Sequence, residues 1–285
     1  MNATNPKPKA EMRKPMSKKA KTFRPTAFSF PYLAVTLVFV IVPLFLILFY
    51  AFRGEDGAFT FGNFAQVFTE KENLDQLGKT VGIALISTAI CLLIAYPVAY
   101  ILASSPFNKM AILALLFIIP MWINFMLRIF ALQSLLQTIG IGKSYAAAVI
   151  GMVYDFFPYM LLPIYTVLLN MDKSYSEASR DLGANHAVTF FKVTLPLSVP
   201  GVISGISMMF MPIFSSYAIT DMMGDASTSV IGAKIASLFE NQSYGNYGYG
   251  SALSFVLLLI VLAVMFIGTY LSGRTAKAPK AGNAK

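Results

Sequence analysis

Charge is scarce in this sequence. Only 12% of its 285 residues are Asp, Glu, Lys or Arg, against about a quarter in an ordinary soluble domain. Together with a 56% hydrophobic content and a mean hydropathy of +0.66, that deficit excludes an ordinary soluble core and points to a surface facing lipid. Cysteine is limited to Cys91, inside an apolar run, so there is no disulfide framework and no Cys-based metal site. His186 is the only histidine, and no Cys–His nucleophile pair or His-rich metal cluster can be assembled. No catalytic residue and no metal ligand is assigned. A cleavable leader is not expected either. The apolar stretch from Phe28 to Phe52 is too long for a signal h-region and no small-x-small site follows it.

What is present is length of apolar chain. Six stretches reach the roughly 20 residues that a hydrocarbon core of about 30 Å requires. They are Phe28–Phe52, Thr80–Ala103, Met110–Leu132, Ala146–Leu169, Val199–Ile219 and Ser251–Ser272. The expected fold class is therefore all-α, a polytopic membrane protein of six transmembrane helices over residues 28–272. Residues 1–27 form a basic tail, expected to lack structure, and 273–285 a second basic tail. An even number of spans puts both termini on one side. With that side taken as the cytoplasm, sixteen Lys and Arg fall inside and five outside, Arg128 remaining within a span. That bias predicts N-in, C-in orientation. The net charge of +9 sits mostly in the tails, so it reads as a topology signal rather than a nucleic-acid surface. Eight acids (Glu55, Asp56, Glu70, Glu72, Asp75, Asp221, Asp225 and Glu240) fall outside. They are either ordinary solvated loop residues or a field that gathers cations at the mouth of a pathway.

The longest cytoplasmic connection, about 170–197, reads NMDKSYSEASRDLGANHAVTFFKVTLPL. Ser174 and Glu177 have capping-box spacing and start a short helix. Gly183 stops it, and Asn185 caps a second helix with Val188, Phe191 and Leu195 on one face. Pro196 is expected to break the chain before the next span. A compact helix–turn–helix with polar and apolar faces suits docking to another protein.

The run Glu177-Ala178-Ser179-x3-Gly183-x9-Val193-x-Leu195-Pro196 resembles the EAA loop of bacterial binding-protein-dependent ABC importer permeases, E-A-A-x3-G-x9-I-x-L-P. All anchor spacings match. Ser179 replaces the third small residue and Val193 the Ile. Further likeness to the spermidine/putrescine type lies in Val42-Pro43-Leu44, Thr60–Phe64, Pro120–Asn124 with Arg128, Gly151–Tyr154 with Pro158, Pro163 and Tyr165, and Thr220–Gly224. The basic N-terminal extension and the Tyr/Gly/Asn-rich external loop Asn241–Gly250 depart from the pattern.

The resemblance implies a non-catalytic permease subunit in a bacterial cytoplasmic membrane, importing polyamines. It implies a second homologous permease, distinct or identical, two ATPase subunits and an extracytoplasmic polyamine-binding protein. No cofactor is expected on this chain, ATP and Mg belonging to the ATPase. It also implies that Glu177, Ala178, Ser179, Gly183, Val193, Leu195 and Pro196 form the ATPase-coupling loop. An importer for another small solute is the alternative. A stand-alone secondary transporter is a further one, disfavoured because internal repeats and a buried ion site are not visible. An intramembrane enzyme would need a constellation the inventory lacks.

Two charges fall within predicted spans, where each is expensive unless paired or hydrated. Arg128 either snorkels to the interface or pairs with Asp155. Asp155 either holds two spans together or faces a water-filled pathway. Asp221, at the outer end of the fifth span, is a candidate for meeting a protonated amine. Trp122, Tyr154 and Tyr217 are candidates for cation–π contact, or for packing and an interfacial belt. Gly140-Ile141-Gly142-Lys143-Ser144 has the tail of a phosphate loop, but the required first glycine position holds Gln137 and no strand precedes it. Gly201-x3-Gly205 permits close helix approach.

Overall fold

The computed structural model describes residues 26–54, 56–104, 116–240 and 244–275. Residues 1–25 and 276–285 of the tails, Lys109, Glu55 and the start of the third expected span lie outside the described residues, while 26–27 and 273–275 belong to helices. Among those described there is no strand, only an isolated bridge between Arg53 and Phe59. The chain divides into two units, residues 1–45 and 46–285.

The first unit holds helix α1, Thr26–Thr36, a π-turn at Leu37–Ile41, and the start of α2, Val42–Ala51. Pro43 explains the π-turn. Its ring has no N–H to donate and would press on the carbonyl four residues earlier. Widening the preceding turn, so that Val42 N–H reaches Leu37 O, relieves the clash without breaking the helix. The segment Pro31–Ala51 is apolar all round, with Phe39 and Phe45 exposed, as a lipid-facing span must be.

The second unit continues with α3, Gly62–Thr69; α4, Lys71–Ser104; a 3-10 turn, Ile119–Trp122; α5, Phe125–Thr138; and α6, Tyr145–Leu169. Then follow α7, Ser174–Asp181; α8, His186–Thr189; a second π-turn, Phe190–Thr194; and α9, Leu195–Ser215. The chain ends with α10, Ala218–Met223; a 3-10 turn, Ala226–Thr228; α11, Ile231–Glu240; and α12, Tyr244–Thr275. Helices α4, α6 and α9 pack together as the core, and α12 packs on α3, α9 and α11. Small residues let the core helices approach. Ala84, Ala95 and Ala99 line the buried face of α4, and a Cβ on Gly201 or Gly205 of α9 would lie 3.0 Å or less from atoms of α6.

Among the described residues five helices are long and apolar enough to span a membrane, and a bent helix pair makes a sixth when counted as one span. The expected third span, Met110–Leu132, is not continuous. The segments Leu116–Trp122 and Phe125–Thr138 meet at 110°. Asn124 causes the restart, its side chain accepting from Met126 N–H at 2.9 Å and Leu127 N–H at 3.4 Å. The fifth span also differs from Val199–Ile219. It is helical from His186 without interruption, ends at Ser215, and Ile219 belongs to the separate α10. Pro196 therefore does not break the chain. The π-turn before it does there what the first one does at Pro43, with Leu195 N–H reaching Phe190 O. From Tyr244 onward the expected external loop Asn241–Gly250 is the first part of α12. Two of its glycines are contact points, since a Cβ on Gly248 would collide with Arg53 O and one on Gly250 would lie 3.3 Å from Leu238.

Gly205→Val should lower stability by about 1–3 kcal/mol through overpacking against Met160. Gly82→Ala, where an added Cβ meets nothing within 4 Å, should be neutral or stabilising. Thermal unfolding in detergent reads both, and equal melting of the two variants would contradict the close contact.

Candidate functional site

The 170–197 loop lies at one end of the core, here the loop end. Its first helix does not start with the expected capping box. Asp172 accepts the Ser174 N–H at 2.9 Å and Lys173 holds the N-cap position without a side-chain bond. A carboxylate two residues upstream is the stronger acceptor, and those bonds to Ser174 hold Asp172 below the usual carboxylate range. Glu177 is left exposed.

The stop is as expected. Gly183 has φ +84°, the left-handed conformation that disfavours a Cβ. Its N–H bonds Arg180 O at 2.8 Å and Ala184 N–H bonds Ser179 O at 3.1 Å, the paired bonds of a Schellman motif. Asn185 then caps α8 by accepting Val188 N–H at 2.8 Å. Ser179 Oγ, where the EAA pattern has alanine, lies 3.1 Å from Thr189 Oγ1 and ties α7 to α8.

Thr189 and Thr194 are buried, and Phe190 meets the rings of Tyr96 and Tyr100 edge-on at 5.9 and 5.1 Å. Tyr96 Oη lies 2.7 Å from Ser198 Oγ. The inward face is thus Thr189, Phe190, Thr194 and Ser198, whereas Val188 and Phe191 point outward. Ala178 and Pro196 are exposed, Val193 and Leu195 half-buried. With Tyr175 exposed and Leu182 90% exposed, the loop presents an uncovered apolar surface. A cleft of about 250 Å3 separates α7 from the ends of α4 and α6, with Ser104, Leu168, Glu177 and Arg180 in its wall.

The intramembrane charges pair. Arg128 Nη2 lies 2.6 Å from Asp155 Oδ1, the side chains 9% and 5% exposed. The approach is a charge contact without hydrogen-bond alignment at Oδ1, and Arg128 Nε has no partner among the described residues. The pair ties α5, the restarted half of the broken span, to α6.

At the far end of the core, α10 ends in three carbonyls that each receive a donor. Lys143 Nζ reaches Asp221 O at 3.3 Å, Gln133 Nε2 reaches Met222 O at 2.8 Å, and Ser144 N–H reaches Met223 O at 3.0 Å. The phosphate-loop look-alike is therefore structural, Ser144 also capping α6 at Ala147 N–H. Asp221 is exposed and its carboxylate has no partner among the described residues; it borders a cleft of about 400 Å3 with Lys143, Asp225 and Thr228. Trp122 (85%), Tyr154 (43%) and Tyr217 (42%) are exposed, and none lies against a cation among the described residues. Of the five pathway candidates Asp221 borders that cleft, while Asp155 is taken up by Arg128.

A cluster not singled out from sequence joins Lys234 of α11 to Glu70 and Glu72, with Tyr249 and Asn73 behind. The Tyr249 hydroxyl is the main cause that holds Glu70 below the usual carboxylate range. Burial pulls Lys234 down, but its bonds to Glu72 and Glu70 outweigh this and raise it.

Breaking the Arg128–Asp155 pair from one side strands a buried charge. Asp155→Asn should destabilise by about 3–5 kcal/mol, and Arg128→Gln with Asp155→Asn should recover most of it. A double-mutant cycle of detergent unfolding checks this; additive losses would show that the pair is not coupled.

Comparison with known proteins gives the same architecture and a family. Residues 19–277 match the model of the binding-protein-dependent transport system inner membrane component. The spermidine/putrescine transport system permease protein PotB of Escherichia coli is 31% identical over 254 residues, 81% of this chain and 91% of that protein. PotB of Haemophilus influenzae is 30% identical over 81% of this chain and 88% of its own length. Among solved structures, a bacterial ABC transporter involved in import of the acidic polysaccharide alginate has a chain that superposes with TM-score 0.70 at 14% identity, covering 87% of this chain and 94% of that one. The inward-facing MetNI methionine ABC transporter gives TM-score 0.55 at 17% identity over 71% and 95%. These structural likenesses are of fold. The extent of the family match and the identity to the PotB proteins establish that this chain belongs to the binding-protein-dependent transport system inner membrane components, the multi-pass permeases of that transport class.

Proposed function

We propose that this chain is a permease subunit of an ATP-driven polyamine importer, with both termini and the 170–197 loop in the cytoplasm. Residues 28–272 supply its share of the translocation pathway, flanked by the basic tails 1–27 and 273–285. A second permease, a pair of ATPases and an extracytoplasmic polyamine-binding protein complete the assembly. The chain itself is non-catalytic, and ATP and Mg2+ belong to the ATPases. The polyamine assignment is supported by the 31% identity to PotB and by the acids at the far end, which suit a polycation.

The observation that carries the coupling role is the construction of the loop. Two short helices locked by the Gly183 turn and the Ser179–Thr189 contact expose an apolar face. The second of them runs without interruption into α9, which packs against α6 in the core. An ATPase that grips this pair moves a rigid element. ATP acts because its binding favours one arrangement of the ATPases, and the loop converts that preference into a bias between inward- and outward-facing states.

Gly183→Val should cost about 1–2 kcal/mol at the turn and lower ATP-driven uptake about tenfold or more, with membrane insertion unchanged. Gly183→Asn, whose side chain tolerates the left-handed region, should keep most of the uptake. Assay in proteoliposomes with the ATPase present distinguishes the two; equal transport by both variants would remove the coupling role. Asp221→Asn should raise the KM for spermidine with little change in melting temperature, since its carboxylate is exposed and unpartnered. An unchanged KM would take Asp221 out of the pathway.

A further inference from the structure

The cluster around Lys234 has the construction of a binding site rather than of a surface ion pair. Lys234 Nζ lies 3.2 Å from Glu70 Oε2 and 3.1 Å from Glu72 Oε2, and 5.9 Å from the centroid of the Tyr249 ring. Two carboxylates and an aromatic ring are the chemistry that recognises a primary ammonium. Each carboxylate is held from behind. Gln66 Nε2 donates to Glu70 Oε1 at 2.8 Å, and Gln76 Nε2 donates to Glu72 Oε1 at 3.1 Å, leaving both Oε2 atoms turned to the ammonium. Tyr249, 7% exposed, donates to Glu70 Oε2 at 2.5 Å and accepts from Asn73 Nδ2 at 2.7 Å. Asn73 is itself 2% exposed and donates to Val67 O at 3.0 Å. Gln76 is 7% exposed, and its Oε1 has no partner among the described residues. A buried acceptor beside the cage is thus left open for a further N–H.

We propose that Glu70, Glu72 and Tyr249 form a site for a primary alkylammonium in which Lys234 is a tethered occupant, and that a free amine exchanges with it and releases α11. The lysine side chain is 14% exposed while that of Glu72 is 66% exposed, so the cage opens to water on the Glu72 side. Release has a consequence because, besides the apolar packing of Ile231, Ile235 and Leu238 on α12, α11 is held by few polar contacts. Its first N–H, on Ile231, bonds Thr80 Oγ1 of α4 at 3.0 Å. Beyond that, a Cβ added at Gly232 would sit 3.2 Å from the Cβ of Tyr217, the residue at the break between α9 and α10. Unpinning α11 removes the brace from that break. In transport this rests on the amine substrate proposed above: delivered polyamine would loosen the far end as it arrives.

The exchange itself is testable without transport. A flexible tether gives Lys234 an effective concentration on the order of millimolar, so competitors are needed at about 10 mM or more. In the full-length chain in detergent, Lys234→Ala should lower Tm by about 2–4 °C. Propylammonium chloride should restore it, and tetramethylammonium chloride at equal ionic strength should not, because it offers no N–H. An unchanged Tm, or equal rescue by both salts, overturns the proposal. Should Lys234→Ala fail to fold, the wild-type chain decides. Propylammonium should increase amide hydrogen exchange across 231–240 relative to tetramethylammonium, and identical exchange overturns the proposal. Propylammonium is not a polyamine, so a failed rescue leaves the spermidine reading standing. Uptake restricted to anionic solutes would sink that reading alone.

Discussion

A backbone in hydrocarbon has no water to bond its N–H and C=O groups, so each must be answered within the protein. The breaks in these helices obey that constraint one by one. Asn124 caps the restarted half of the third span. The two π-turns carry the helix past Pro43 and Pro196, each closing one residue before the proline. The three carbonyls at the end of α10 take donors from Gln133, Lys143 and Ser144. At each of these described breaks the irregular backbone has a specific partner or a widened turn to answer it.

Lipid supplies little hydrophobic drive between helices, so packing and polar contacts decide the arrangement. Close approach at Gly201 and Gly205 gives van der Waals contact between α9 and α6. The Arg128–Asp155 pair and the Tyr96–Ser198 bond add specificity rather than bulk stability. A buried charge pair is weak as a net stabiliser but severe when halved, so Arg128 fixes where α5 sits against α6 more than how tightly.

The sequence made some of this legible and hid the rest for identifiable reasons. Local devices were readable: Gly183 as the stop and Asn185 as the cap each follow from a residue's own conformational preference. Competing local devices were not ranked correctly. Asp172 displaced the Ser174–Glu177 capping box because an ionised acceptor outbids a hydroxyl, and a π-turn rescued the helix at Pro196. Average hydropathy hid the break at Asn124, since one polar residue barely moves a window of eighteen or more. The Lys234 cage was invisible because its members come from four segments brought together only by the packing of α3, α4, α11 and α12. The family motif located the loop, and its one polar departure, Ser179, proved to be the tie between the two helices it belongs to.

A path between the two ends of the core follows from these particulars. The helix from His186 to Ser215 is unbroken, so a displacement of α8 is carried along α9 rather than absorbed. It arrives at Ser216 and Tyr217, where the chain leaves the helix, and there it meets two restraints of different kind. On one side α10 is fixed by three backbone acceptors and by Ile219 and Met223 filling the space that Gly151 leaves open. On the other side α11 is held by the packing of Ile231, Ile235 and Leu238, by Thr80 and by an ammonium in a water-facing cage. Coupling between distant sites requires an element with two arrangements that both sites bias. In the exchange proposed above that element is α11, and the residue that sets its balance is Lys234.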